Sequence, residues 1–223
     1  MKKVGIIGGA GPLASALFYQ TFIQESYLQA LQVPEILLIN YPFTRGLSME
    51  EGEINEAVIE EELGYCIQSL ELHQVGIGVI ACNTLHRYLQ LMPKTFITFI
   101  SLPQIIVREA LANSHKRLLL LATQNTCRFE LYQHLDITLL YPPPNEQDLV
   151  DEIIDRILEG KVFKNDSILL SQMIARLGTS MNFDGVILGC TDLPVLQHYF
   201  PIHSSKPFYD SIKIPAKKLR GIL

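Results

Sequence analysis

The chain has 223 residues, 48% of them hydrophobic and 18% charged, with 18 basic against 23 acidic side chains and a net charge of -5. That length can bury a sizeable core in one large or two small domains, and the mild acidity without a long run of one sign argues against a nucleic-acid-binding surface. No stretch reaches the roughly 18 apolar residues of a membrane span, and the apolar run of residues 4–7 is too short for a secretory core, so a cytoplasmic protein is expected.

Taken in chain order, the apolar segments alternate between strand and helix. VGIIG, at residues 4–8, is a short β-branched run closed by glycine and reads as a buried strand. A helix is expected over 12–30, with Pro12 in its first turn, then a strand over 35–40. A helix follows over about 54–72, with Val58, Leu63, Cys66, Ile67 and Leu70 recurring on one face. A strand at 76–81, a helix starting near Thr84 and a strand at 95–100 come next.

The rhythm then starts again. LPQIIVREAL reads as a helix, 117–123 as a strand, 126–134 as a helix, and ITLLYP as a short strand ending in a triple-proline loop. Helices are expected over 146–159 and 167–177, a strand over 185–189, a helix within CTDLPVLQHYF, a last short strand in KPFYD and a helical tail from Ile212. Strands alternating with helices imply parallel sheets in an α/β fold. GVIACNTLH (78–86) and GVILGCTDL (185–193) share one plan of glycine, apolar residues, cysteine and threonine near a helix start. They read as equivalent strand-to-helix junctions in two similar halves.

Ligands in open α/β sheets bind outside the carboxyl ends of strands, and Cys82 and Cys190 both stand there, each before a predicted helix. Backbone N–H groups and the helix dipole at such a place favour a thiolate. Thr84, Thr191 and Asp192 read as helix caps or ligand hydrogen-bonding groups. Two thiols reaching one cleft from two halves could invert an α-carbon, one removing a proton from one face and the other returning one to the opposite face. A lone cysteine is more often core filler. Cys66, on an apolar helix face, is assigned to the core, and Cys127 to an incidental position.

The first turn, GGAGPLAS, places Gly9, Gly11 and Ala14 in the G-x-G-x-x-A spacing of dinucleotide sites. The second strand, however, ends in Asn40-Tyr41-Pro42 and lacks the acidic residue that would bind a ribose. A tight turn with close backbone approach is one reading, and amides holding a substrate carboxylate another. Arg45 is either an exposed loop arginine or a bidentate carboxylate ligand at the same sheet edge. His86 follows Cys82 by four residues, and a helix-surface or capping role is expected for it. No CxxC pair, pyridoxal-phosphate lysine context, P-loop or nucleophile elbow is present. Side-chain chemistry without metal or cofactor is therefore expected.

GGAGPLAS, ACNTLH (81–86), LATQNT (121–126) and GCTDL (189–193) together resemble the aspartate/glutamate racemase superfamily, with the aspartate racemase branch nearest. The resemblance implies two pseudosymmetric α/β domains, each with a mostly parallel sheet flanked by helices and with the active site between them. It implies an N-terminal domain of residues 1–101 plus 205–223, a C-terminal domain of 102–204, no cofactor, and a homodimer. Cys82 and Cys190 become the two acid/bases. Asn83, Thr84 and Thr191 would hold the substrate carboxylate and ammonium; Gly9, Gly11 and Pro12 would shape the cleft floor, and Thr123 and Thr126 would line it. Arg45 would bind a carboxylate, and Asp192, where relatives often carry Glu, would tune the neighbouring thiol.

Three positions depart from the pattern. Asn125 replaces a glycine, Pro215 stands where relatives often have His, and Leu158 stands where aspartate racemases carry a lysine. The resemblance makes aspartate the first expected substrate, while the missing lysine counts against a side-chain carboxylate and leaves glutamate or a broader, neutral amino-acid range open. The alternatives are a cysteine-dependent isomerase of a dicarboxylate, which would use one thiol as nucleophile, a non-catalytic amino-acid-binding protein, and, more distantly, an NAD-dependent oxidoreductase. The expected partner is a small amino acid or dicarboxylate, not a nucleic acid or a membrane.

Overall fold

The computed structural model describes residues 3–29, 32–43 and 55–222. The chain forms two compact units, Met1–Ser101 with Ala216–Leu223, and Leu102–Pro215. The first unit contains β1 (Val4–Gly8), α1 (Pro12–Leu28), β2 (Ile36–Asn40), α2 (Glu56–Leu72), β3 (Ile77–Ile80), α3 (His86–Leu89) and β4 (Thr98–Ile100). Its four strands lie in the order β2-β1-β3-β4, every pair parallel. β1 and β3 are buried at every residue, whereas edge strand β2 is not. That is why β1 and β3 read as continuous apolar runs.

The second unit repeats the plan. It holds α4 (Leu102–Ala112), β5 (Arg117–Leu121), α5 (Gln124–Arg128), β6 (Thr138–Leu140), α6 (Pro144–Leu158), α7 (Lys164–Ser180), β7 (Gly185–Leu188), α8 (Asp192–Tyr199) and β8 (Phe208–Asp210). Its strands run β6-β5-β7-β8, again all parallel. One face of this sheet packs Leu118, Leu120, Ile187 and Tyr209 against Ile106, Val107 and Ala110 of α4. Each large aliphatic side chain so buried contributes roughly 1.5–3 kcal/mol, so the central strands fix the sheet. α9 (Lys213–Arg220) leads the chain back to the first unit, with the division after Pro215.

Several expectations are corrected here. Residues 205–215, assigned from sequence to the first domain, belong to the second unit, because β8 pairs with β7 from Val186↔Phe208 to Leu188↔Asp210. Gly185 permits this pairing, since a Cβ there would meet the Tyr209 ring at 2.7 Å. The buried face of α2 carries Ile59, Leu63, Cys66, Ile67 and Leu70, so Ile59 takes the place expected for Val58. The helix expected over 126–134 is the short α5, which ends before Glu130 takes a left-handed φ of 52°. Among the described residues no helix is long and apolar enough to cross a membrane.

Candidate active site

Both sheets share a feature that the sequence alone does not give. The chain lays down one strand and its neighbour, then crosses back to place the third strand on the other side of the first. The carboxyl ends of the first and third strands therefore flank a topological switch point, where α/β sheets bind ligands. In the first unit those ends carry the Gly8-Gly9 turn and Cys82. In the second they carry Thr123 and Cys190.

In the first unit Cys82 is half-buried. The strand end before it is held by a 2.8 Å bond from Ala81 N–H to the Ile7 carbonyl. Asn83 is buried, and the chain turns at once, with His86 N–H donating to the Asn83 carbonyl at 3.0 Å and Arg87 N–H to the Thr84 carbonyl at 3.2 Å. α3 spans only His86–Leu89 and has no side-chain cap, so Thr84 is not a helix cap. Cys82 thus precedes a single turn rather than the longer helix whose dipole was expected. His86 is buried, not on the surface. Its Nδ1 lies 2.9 Å from the Cys82 carbonyl, and burial holds the imidazole below its usual pKa.

The glycine turn is tight for a visible reason. Gly9 has φ 104°, and a Cβ there would collide with the backbone of Tyr41. Its N–H donates to Ser15 Oγ at 2.9 Å, and the same hydroxyl donates to the Gly11 carbonyl at 2.9 Å. The Gly9 amide is thereby occupied within the turn, which favours the tight-turn reading over an amide that holds a carboxylate. Gly11 is the N-cap of α1 and Pro12 opens the helix. Arg45 lies outside the described residues.

In the second unit Cys190 is half-buried and its thiol donates to Asp192 Oδ2 at 3.4 Å. Asp192 is buried, and burial pushes its carboxyl up to about 6, against the opposing effect of the Cys190 hydrogen bond. Its other oxygen, Oδ1, has no hydrogen-bond partner among the described residues. An unpartnered buried oxygen is costly, and it offers a binding point for a donor that enters the site. Thr191 is buried at the N-cap position of α8, but its side chain does not cap the helix. Thr123 does cap one. Its Oγ1 accepts from Thr126 N–H at 3.2 Å and donates to Thr126 Oγ1 at 3.1 Å.

Three supporting residues escaped the sequence reading. Tyr132 donates its hydroxyl to the Gly189 carbonyl, fixing the peptide before Cys190. Gln147 on α6 donates to the Ala122 carbonyl at 2.8 Å and to Asp151 Oδ2 at 3.1 Å, and Asp151 accepts from Gln124 N–H at 3.3 Å. Gln147 and Asp151 thus brace the loop after β5, and Tyr132 the turn after β7. A polar residue on the first turns of α6 was the available signal, but nothing local tied it to a distant strand end. Cys66 is buried, as expected for core. Its thiol is pushed up to about 12 by burial and by Glu62, and that of Cys127 to about 12 by burial and by Asp151, which suits neither to act as a thiolate. Leu158 is half-exposed at the end of α6, and nearby Lys161 is ion-paired with Glu159 at 2.6 Å. Among the described residues no cluster of three or more His, Cys, Asp or Glu could hold a metal ion.

Residues 7–219 match the family model described as Asp/Glu/Hydantoin racemase. The chain is similar in structure to an aspartate racemase homologue from Pyrococcus horikoshii OT3, at 24% identity and TM-score 0.77, covering 100% of this chain and 99% of that one. It is similar to the Picrophilus torridus aspartate racemase at 22% identity and TM-score 0.76, covering 99% and 95% of the two chains. It is also similar to glutamate racemase isoform RacE1 from Bacillus anthracis, at 17% identity and TM-score 0.70, covering 100% and 81%. These likenesses show a shared two-domain α/β fold with parallel sheets.

Proposed function

As the chain belongs to the Asp/Glu/hydantoin racemase family, we propose that it inverts the α-carbon of an amino acid by proton transfer between Cys82 and Cys190, with no cofactor. The observation that carries the reading is the repetition. Each cysteine follows the third strand of a sheet with the same strand order, so the two halves present the same reactive group from equivalent positions. Stereochemical inversion calls for matched groups on opposite faces of one carbon.

The surroundings of the two thiols differ, and the difference assigns starting roles. Cys190 donates a hydrogen bond to the Asp192 carboxylate, which suits it to begin as the thiol acid. Cys82 then begins as the thiolate base. It takes the α-hydrogen as a proton, and the electron pair left on carbon spreads into the substrate carboxylate. Cys190 gives its proton to the other face, leaving an inverted product, a Cys82 thiol and a Cys190 thiolate. The opposite enantiomer enters with those roles exchanged.

Asn83, Thr84 and Thr191, beside the two cysteines, are the proposed ligands for the α-carboxylate and ammonium. The unpartnered Asp192 Oδ1 is a further ammonium acceptor. Arg45 is the proposed partner of a substrate carboxylate, which makes aspartate the first candidate and glutamate the second. A neutral range is the outcome if Leu158, in place of a lysine, governs selection. Single enantiomers of the common amino acids, incubated with the protein and no added cofactor and resolved by chiral chromatography, test the proposal. Interconversion of one or a few acidic amino acids is expected. No interconversion of any amino acid by protein that circular dichroism shows to be folded would refute it.

A further inference from the structure

Cys82 lies beyond the point where backbone pairing supports it on both sides. The ladder between β3 and β4 ends at Val79 and Ile100, three residues short of Cys82. On the β1 side the bond from Ala81 N–H to the Ile7 carbonyl continues the support. On the β4 side the imidazole of His86 takes over. Its Nδ1 lies 2.9 Å from the Cys82 carbonyl, and the backbone of Ile100, the last residue of β4, and that of Asn83 also meet the ring. With 6% of its surface exposed, the ring is held within the protein. A side chain four residues downstream therefore stands between the ends of two neighbouring strands where the ladder no longer does, giving the one N–H of its neutral ring to the Cys82 carbonyl and meeting the Ile100 backbone. The Cys82–Asn83 peptide is planar, so fixing its carbonyl also fixes the direction of the Asn83 N–H and the backbone that presents the Cys82 sulfur.

We propose that His86 is a positioning residue for Cys82, tying the Cys82 carbonyl to the end of β4 and so setting the place from which the thiol reaches the α-carbon. Burial keeps the imidazole neutral at neutral pH, and it acts as a clamp rather than as a charge. The catalytic consequence rests on the racemase reading above, whereas the clamp itself rests only on geometry within the first unit.

The test compares the full-length wild type with His86→Leu, which removes the hydrogen bond to the Cys82 carbonyl, and His86→Asn, whose amide nitrogen takes the place of Nδ1. Two readouts are measured: kcat and KM for racemisation, and the rates at which iodoacetamide alkylates Cys82 and Cys190, resolved by peptide mass mapping. Misplacing a reacting group by about 1 Å can cost on the order of 100-fold in rate. His86→Leu is expected to lower kcat roughly 10- to 100-fold with little change in KM. It is expected to change the alkylation rate of Cys82 while leaving that of Cys190 as it was, and His86→Asn restores most of both.

Unchanged kcat and unchanged Cys82 alkylation in His86→Leu overturn the proposal, and so does an equal change at both cysteines, which reports general loosening. If His86→Leu does not fold, His86→Asn against His86→Gln decides. The clamp predicts Asn the more active, because Gln places its nitrogen where Nε2 was, and equal loss in both overturns it. If the wild type turns over no amino acid, a selective change at Cys82 upholds the clamp while the racemase reading falls alone.

Discussion

Replacing Asp192 by Asn should make the protein more stable at neutral pH, even though it alters a residue of the candidate site. Asp192 is buried, and burial raises its carboxyl from 3.8 to about 6. At about 1.4 kcal/mol per pKa unit, that shift amounts to about 3 kcal/mol held against the folded state whenever the group is ionised in both states. The folded state binds the proton more tightly than the unfolded chain. This contribution to stability is therefore fully present below about 3.8 and is lost as pH rises through about 6. Asn resembles the protonated carboxyl in size and still offers the Cys190 thiol an acceptor. The stability gain of Asp192→Asn, measured by urea denaturation, should be near zero around pH 4, grow between about 4 and 6, and level off at up to about 3 kcal/mol above that. A variant equally or less stable than wild type at pH 7, with a difference that does not depend on pH, would refute the reasoning.

Two further predictions concern the turns that support the strand ends. Gly9→Ala places a Cβ against the Tyr41 backbone at a left-handed φ. It should cost more than about 1–3 kcal/mol and lower the calorimetric midpoint by several degrees, and an unchanged midpoint would show that the turn is not tight. Thr123→Ala removes the cap of α5 and the partner of the Thr126 amide. A loss of about 1 kcal/mol in denaturant stability is expected, and a wild-type midpoint would contradict the capping role.

Much of the fold was readable because its central strands are buried on both faces and appear as apolar runs: VGIIG, the LLLL of β5 and GVIL. The cysteine echo was readable for the same reason, since both copies sit directly after such runs. Strand order was not readable, because parallel neighbours are set by packing far apart in sequence. That is how β8 came to be assigned to the wrong unit. The length of α3 was missed, since nothing in CNTLHRYLQLM marks the end of a one-turn helix. α5 ends at a left-handed glutamate, where no glycine announces the stop. At the candidate site, the cysteines and Asp192 could be named from sequence. The acceptor role of Asp192 could not, because it depends on burial and on which oxygen faces the Cys190 sulfur. His86 was read as a surface group because one histidine on a helix carries no sign that its ring turns inward to a carbonyl.

The central claim is that Cys82 and Cys190 exchange protons with one α-carbon. It is tested most directly in deuterated water, starting from each enantiomer of the best substrate with wild type, Cys82→Ala and Cys190→Ala, and following both inversion and α-deuterium by chiral separation and mass spectrometry. The account predicts that wild type gives inverted product carrying one solvent deuterium, and that either substitution lowers inversion by at least about 100-fold in both directions. Inverted product without deuterium, or inversion at the wild-type rate in either variant, would contradict it.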